Sequence, residues 1–386
     1  MKHFSQNNAM PTSNPKPLRI AMVLDTFGDV RNGGVISTKR FTAMLREEGH
    51  RVTIISADNE SEPDKVTLKS FYPPFFSRVM RQMNFVFAWP ERQNILKAIQ
   101  ESDIVHVQMP FYLGIRAANL ARKLSKPLVI SFHVQAEQLL YNVGLKRQWL
   151  VHLVYRFFIK MLYNKADLVI CPSHFADAEI RRYGLRAPTI VISNGVTSEY
   201  HVEAVLRKYP ENFVILNVGR NAVEKRQDML LRAVAKSRYC DRIKVIMVGH
   251  GPQRGALVRL SEEMLGGNVD FEYLPPSEVI SAYNTSDLFV HCAAVEVECM
   301  TALEAMACGL PLLIADAPLS ATKQFALSER HLFSTEEELT RKIDFWYENP
   351  EMLRQAKAQY LEFVKQYRIE ASFKKLKEAY LAVMQK

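Results

Sequence analysis

Compact apolar runs alternate with helical patterns along most of this chain, and a parallel sheet covered by helices on both faces is the arrangement that absorbs such an alternation. Residues 19–25 form the first run, followed after a Gly-containing turn by a helical pattern that Gly49 ends. Further runs occupy 50–56, 104–108, 127–133, 168–173 and 189–196, each closed by polar or turn-forming residues, and they read as strands. The pattern turns polar over 199–212 and then restarts at 213–219, 244–251, 269–274 and 288–293, with another apolar strand directly after Pro311. The fold class is therefore α/β, with two Rossmann-like doubly wound parallel-sheet domains. A chain of 386 residues suffices for two ordinary domains, each with its own core. The expected division is a disordered tail over 1–17, a first domain over 18–200, a second over 201–365, and a terminal helix over 366–386.

Composition removes several alternatives. An apolar share of 48% and a charged share of 24% are those of a soluble globular protein. No uninterrupted apolar run reaches the 18 or so residues a membrane-spanning helix needs, and the Asn-, Ser-, Pro- and Lys-rich residues 1–17 lack the apolar centre of a signal peptide. Cys171, Cys240, Cys292, Cys299 and Cys308 show no paired metal-ligand spacing, and they read as small buried side chains in a reducing compartment. Of the 50 Lys and Arg against 41 Asp and Glu, residues 1–200 hold 26 against 16, so the first half carries the whole basic excess. That half is expected to face something anionic.

The chemistry concentrates where strands end and helices begin. After 288–293 a loop carries Glu296; a short helix then starts near Met300, holds Glu304, and is ended by Gly309 and Pro311. Free N–H groups at such a helix start, among Cys299, Met300 and Thr301, favour an anion such as a diphosphate. The two carboxylates are suited to accept hydrogen bonds from sugar hydroxyls. Arg220 and Lys225 follow the strand 213–219, where a guanidinium fork and an ammonium suit diphosphate oxygens. Gly33 and Gly34 follow the first strand, letting backbone approach a ligand with no Cβ in the way. His133, Ser173 and Asn194 stand at strand ends of the first half.

The run from Val290 to Asp316, with Glu296, Glu304 and the Glu-Ala-Met-Ala-Cys-Gly-Leu-Pro segment, resembles the glutamate-x7-glutamate signature of retaining nucleotide-sugar glycosyltransferases of the GT-B fold, family 4-like. Val218-Gly219-Arg220 with Glu224-Lys225 is similar to a second signature of that group, although Arg226 stands where a glycine is common. The resemblance implies two lobes facing a cleft and transfer of a hexose from a nucleotide diphosphate. It implies that Arg220 and Lys225 bind the diphosphate, Glu304 the ribose, Glu296 and His133 the transferred sugar, and the backbone near Tyr273 the nucleobase. Pro318 to Phe325 looks like the corresponding segment of bacterial glycolipid synthases, the diacylglycerol and ceramide hexosyltransferases.

Two segments bear on the acceptor. Residues 69–89 interleave aromatic with basic side chains around Pro73-Pro74, which favours a membrane surface over a core. Residues 149–163 are apolar except for His152, Arg156 and Lys160 at i, i+4 and i+8, and read either as a buried helix with one wet edge or as a helix seated among lipid headgroups. The expected function is thus a metal-independent, retaining transferase moving glucose or galactose from a UDP-sugar to a lipid hydroxyl of diacylglycerol or ceramide type. The expected location is cytoplasmic, peripheral on the inner face of an anionic membrane, with no nucleic-acid partner. A GDP-mannose-dependent mannosyltransferase, a transferase to a polysaccharide precursor, and a non-catalytic nucleotide-sugar-binding protein are the alternatives.

Overall fold

The computed structural model describes residues 16–28, 32–72, 77 and 86–385. Seven parallel strands form the first sheet, in the spatial order Lys65–Thr67, Arg51–Ser56, Arg19–Val23, Ile104–Val107, Leu128–Ser131, Leu168–Cys171 and Thr189–Val191. Six form the second, in the order Val269–Glu272, Ile243–Val248, Phe213–Val218, Leu288–His291, Leu312–Ala315 and Leu332–Phe333. Strand order reverses between Arg19–Val23 and Ile104–Val107 in one lobe, and between Phe213–Val218 and Leu288–His291 in the other. Loops that leave the carboxyl ends of those central strands open a crevice, so each lobe points its switch point at a ligand.

Both sheets are buried on their two faces. In the first lobe, Ala21, Val23, Val105, Val107 and Ile130 pack beneath the Tyr112–Lys123 and Gln148–Met161 helices, while Ile20, Met22, Ile54 and Ile104 face the Gly33–Glu47 helix. The second of these layers is completed from the far end of the chain. Phe373, Leu376, Ala379, Tyr380 and Val383, on the Ile369–Met384 helix, belong to it. The crossing is sealed by backbone bonds in both directions, Val196 N–H to Tyr367 O at 2.9 Å and Ile369 N–H to Val196 O at 3.1 Å. The chain therefore passes between lobes twice, close to the same point.

Strand ends fall earlier than the apolar runs suggest. The run 189–196 gives a strand only to Val191, because the chain turns at Asn194-Gly195, where Gly195 has φ 71°. Likewise 288–293 is a strand only to His291, which frees Cys292 onward to form the loop that carries Glu296. No described helix is long and apolar enough to cross a membrane.

Candidate active site

A cavity of about 520 Å³ lies between the lobes. Its walls include His133, Arg220, Lys225, Glu296, Gly33, Gly34, Asn194, Cys299, Met300, Thr301 and Glu304, side chains and turns drawn from five separate stretches of sequence. Two residues expected there are elsewhere. Ser173 is buried, caps its own helix at Ala176 N–H and donates its hydroxyl to Val297 O at 2.6 Å, so it ties the first lobe to the Glu296 loop without reaching the cavity. Tyr273, whose neighbouring backbone was expected at the nucleobase, follows the strand at the outer edge of the second sheet, is 65% exposed and does not line the cavity.

The Met300–Ala307 helix explains why so much converges on one loop. It is buried on every side but for Thr301, and it ends in a Schellman motif, with Leu310 N–H on Ala305 O at 2.8 Å and Gly309 N–H on Met306 O at 2.9 Å. Its first turn receives no side-chain cap, leaving amide donors and the positive dipole end for an anion at the cavity. Cys299, preceding it, holds a left-handed backbone with φ 81°. Opposite stands the start of the Gly33–Glu47 helix, capped by the Asn32 side chain on Gly34 N–H at 3.0 Å. A Cβ on Gly34 would lie 2.9 Å from His133 Cγ, and one on Gly33 would lie 3.2 Å from Met300 Sδ. Glycine at 34 admits the approach of helix start and histidine, and Gly33 leaves room for Met300 of the opposing lobe.

The charged groups are paired across loops and lobes. Lys225 Nζ sits 2.7 Å from Glu296 Oε2; burial by itself would lower the ammonium's pKa, but the negative groups around it, Glu296 foremost with Cys299 and Glu224, together hold it above the ordinary value. Arg220 donates to Glu224 Oε1 at 2.6 Å, and Ala294 N–H donates to Glu224 O at 2.8 Å, joining the two signature loops. Arg226, at the position where a glycine was expected, takes φ 48° and ψ 39°, so the loop keeps the glycine-like turn with a non-glycine residue. Glu304 accepts from Arg40 of the first lobe at 3.2 Å and from the Tyr283 hydroxyl at 3.2 Å; burial raises its pKa, and Arg40 offsets part of that rise.

Three residues of this site carry no signal in the motifs. Gln108 Oε1 meets His133 Nε2 at 3.0 Å and sets its tautomer, while burial pushes the imidazole down to about 4, so His133 is neutral across the physiological range. Arg40, in a helix interior, is a partner of Glu304 because the two lobes meet there. Glu298 lies between the two signature acids, Glu296 and Glu304. One of its oxygens accepts from Asn194 N–H at 2.9 Å and Asn194 Nδ2 at 2.7 Å, its other oxygen is buried without a partner, and burial pushes the carboxyl up to about 7. The doubled Val-Glu-Val-Glu spacing was the available hint.

The rest of the cavity is mixed, with Asn32, Gln138, Asn142 and His250 among larger apolar side chains. Phe87, Met109, Phe111, Leu139, Leu140 and Leu145 of the first lobe line it. On the outer surface of that lobe, the Gln148–Met161 helix exposes Trp149 at 62%, Leu153 at 59% and Phe157 at 51%, a row at i, i+4 and i+8, beside exposed His152, Arg156 and Lys160. A buried helix with one wet edge is therefore not what forms; an apolar row and a basic row both face outward. Of the aromatic and basic stretch 69–89, residues 73–76 and 78–85 lie outside the described residues. Within its described part, Phe71 packs on Phe87 and Trp89, with ring centroids 5.8 and 5.7 Å apart.

Comparison with known proteins agrees with this geometry. The family described as Glycosyltransferase Family 4 matches residues 31–200, and that described as Glycosyl transferases group 1 matches residues 201–361. The alpha-monoglucosyldiacylglycerol synthase of Streptococcus pneumoniae is 23% identical over 316 residues, covering 77% of this chain and 70% of that protein. A GDP-mannose-dependent alpha-mannosyltransferase of Mycolicibacterium smegmatis is 27% identical over 319 residues, covering 78% of this chain and 80% of that protein. Among solved structures, Anabaena Alr3699/HepE in complex with UDP-glucose has a TM-score of 0.75 at 16% identity, over 95% of this chain and 100% of that one. The two-lobed GT-B fold is thus shared.

Proposed function

The chain belongs to the glycosyltransferases, matched in its two halves by family 4 and group 1, and from that premise we propose that it moves glucose or galactose from a UDP-sugar to the hydroxyl of a membrane lipid of diacylglycerol or ceramide type, with retention of configuration. The observation that carries this reading is the division of one cavity into two chemistries. Cations, open helix amides and carboxylates line the second-lobe wall, and Phe87, Met109, Phe111, Leu139, Leu140 and Leu145 line the first-lobe wall. A soluble sugar acceptor would leave that apolar wall unused, whereas a lipid buries it.

The reaction's charge problem is a diphosphate that gains negative charge as the anomeric carbon becomes oxocarbenium-like. In this reading Arg220, Lys225 and the first amides of the Met300–Ala307 helix take up that charge in a partly dry site, the kind of preorganisation that dominates such catalysis. Those groups meet the need themselves, so no divalent ion is called for. Glu304 holds the ribose, Glu296 the hydroxyls of the sugar, and neutral His133 donates or accepts near the reacting carbon. The departing phosphate takes the acceptor's proton. The outward apolar and basic rows of the Gln148–Met161 helix seat the first lobe on an anionic bilayer, next to the acceptor wall.

A mannosyltransferase using GDP-mannose is the second reading, favoured by the similarity to the M. smegmatis protein. Incubation of the protein with labelled UDP-glucose, UDP-galactose or GDP-mannose and vesicles containing diacylglycerol or ceramide separates the two. Organic-soluble label from a UDP-sugar supports the proposal, and label from GDP-mannose alone replaces it with the second reading.

A further inference from the structure

Among the described residues, one group of side chains combines nitrogen, sulfur and oxygen ligands at metal-binding separation: His291, Glu296 and Cys299, each offering one atom, all within 4.8 Å of one another. His291 ends the Leu288–His291 strand, and the loop that leaves it folds back so that Cys299 Sγ lies 3.5 Å from His291 Nε2. A tetrahedral zinc ion, with Zn–S near 2.3 Å and Zn–N near 2.0–2.1 Å, holds its sulfur and nitrogen ligands about 3.6 Å apart. Sγ also lies 3.8 Å from Nδ1, so it flanks the imidazole rather than standing along the Nε2 lone pair, and a turn of the His291 ring brings both ligands onto one ion. Glu296 is the third arm and borders the cavity, as does Cys299, so there is an entry path and a side open to a fourth, exchangeable ligand. The position also already draws a cation: Lys225 Nζ rests on Glu296 at 2.7 Å.

We propose that His291, Glu296 and Cys299 form a site for a thiophilic divalent cation such as Zn²⁺, filled at the expense of the Lys225–Glu296 pair. On binding, the Cys299 thiol proton passes to solvent, and thiolate and carboxylate together balance the ion's two charges. Lys225 is displaced from Glu296. Because Lys225 and Glu296 are assigned above to the diphosphate and the sugar, the metal and the nucleotide-sugar exclude each other, and the site is inhibitory. That exclusion rests on the proposed function; the binding of the ion does not.

Titration with Co²⁺ tests the site directly, using the nucleotide-free full chain carrying Cys240→Ser so that the half-exposed Cys240 adds no thiolate signal. The expected result is a single equivalent bound with intense tetrahedral visible bands and a near-ultraviolet thiolate-to-cobalt band, bleached by Zn²⁺. Cys299→Ser, a near-isosteric change, abolishes the charge-transfer band, and His291→Gln weakens binding by at least about tenfold. A weak octahedral spectrum, or a charge-transfer band that persists in Cys299→Ser, overturns the proposal; should His291→Gln not fold, Cys299→Ser decides alone. Addition of UDP-glucose is expected to raise the apparent Kd for Co²⁺. If the thiolate band forms but UDP-glucose leaves it unmoved, the metal site stands and the assignment of Lys225 and Glu296 to the donor falls.

Discussion

Lys225 Nζ and Glu296 Oε2 stand 2.7 Å apart, a cation and a carboxylate from two different loops joined at the wall of the inter-lobe cavity. Each is mostly buried, and each is the other's charge partner until a substrate arrives. The pair keeps both charges solvated by protein rather than water, so a diphosphate meets a preorganised ammonium. Truncation of Lys225 removes that charge and strands Glu296. Lys225→Ala is expected to lower kcat by roughly 10²- to 10³-fold, as the loss of one charge-stabilising donor does elsewhere. Lys225→Arg is expected to recover little, since a planar guanidinium does not fit a point-charge position. Steady-state rates with the active donor check both; a kcat for Lys225→Ala within a few-fold of the parent removes Lys225 from the chemistry.

Glu298 gives the lobes a pH-dependent contact. Its folded carboxyl is raised by burial to about 7 from the ordinary 4.5, so between those pH values the folded state holds a proton that the unfolded state has lost. Its contribution is fully present below about pH 4.5 and is lost as pH rises through about 7. Glu298→Gln keeps an oxygen for Asn194 N–H and puts an amide where the partnerless oxygen lies. The variant is expected to match the parent near pH 5 and to exceed its stability by about 2–3 kcal/mol above pH 8, at 1.36 kcal/mol per pKa unit. His106 and His133, lowered by burial to about 3 and about 4, contribute in the opposite sense: their stability is present above pH 6.5 and is lost as pH falls. Denaturant melts of both proteins across pH isolate Glu298, because the histidine contributions cancel in the difference. A pH-independent difference contradicts the assignment.

Gln108 acts through His133. Removing its carbonyl by Gln108→Leu leaves His133 Nε2 without its 3.0 Å partner, and a drop in kcat of about tenfold is expected from the loss of one orienting hydrogen bond. Gln108→Glu sets a carboxylate in the same place and raises the imidazole's pKa toward neutrality, so activity acquires a new acidic limb absent from the parent. Rate profiles of the parent and Gln108→Glu settle this; superimposable profiles mean that Gln108 does not govern the imidazole.

Much of this architecture was legible in order along the chain. Apolar runs with turn residues at their ends located every strand of the two main sheets except the short edge pieces Lys65–Thr67 and Leu332–Phe333, whose few residues pair only at a sheet margin. Loop residues such as Arg220, Glu296 and Glu304 were legible because a strand end followed by a helix start confines them to the crevice. Arg40, Gln108 and Glu298 were not, since each acquires its partner through contacts more than 20 residues away. Ser173 was placed correctly at a strand end, yet its hydroxyl is used between lobes, a distinction that only packing makes. Tyr273 shows the converse, a strand end at the sheet's edge rather than at its switch point.

Arg226 occupies a left-handed turn at an energetic cost of roughly 1–2 kcal/mol for a residue with a Cβ. Glycine removes that cost and gives back part of it through the greater freedom of the unfolded chain. Arg226→Gly is expected to stabilise by about 0.5–1 kcal/mol in a denaturant melt, whereas destabilisation would mean that the arginine side chain holds the loop.

The outward row Trp149, Leu153 and Phe157 contributes little to the core, being more than half exposed. The triple change to Ser is expected to leave the thermal midpoint within a few degrees while weakening vesicle binding about 100-fold, at roughly 1 kcal/mol per partly buried side chain. Arg156→Glu with Lys160→Glu is expected to weaken binding to anionic vesicles only. Flotation with anionic and neutral lipids reads both, and indifference of the parent to anionic lipid removes the electrostatic part of the account.

The most direct measurement is proton NMR of the first product formed from UDP-glucose in mixed micelles of diacylglycerol. The account predicts a glucosyl-lipid whose anomeric signal is that of the α configuration, as in the donor, appearing with release of UDP. A β-linked lipid contradicts retention, and UDP release with no lipid-linked sugar contradicts the assignment of the apolar wall to the acceptor.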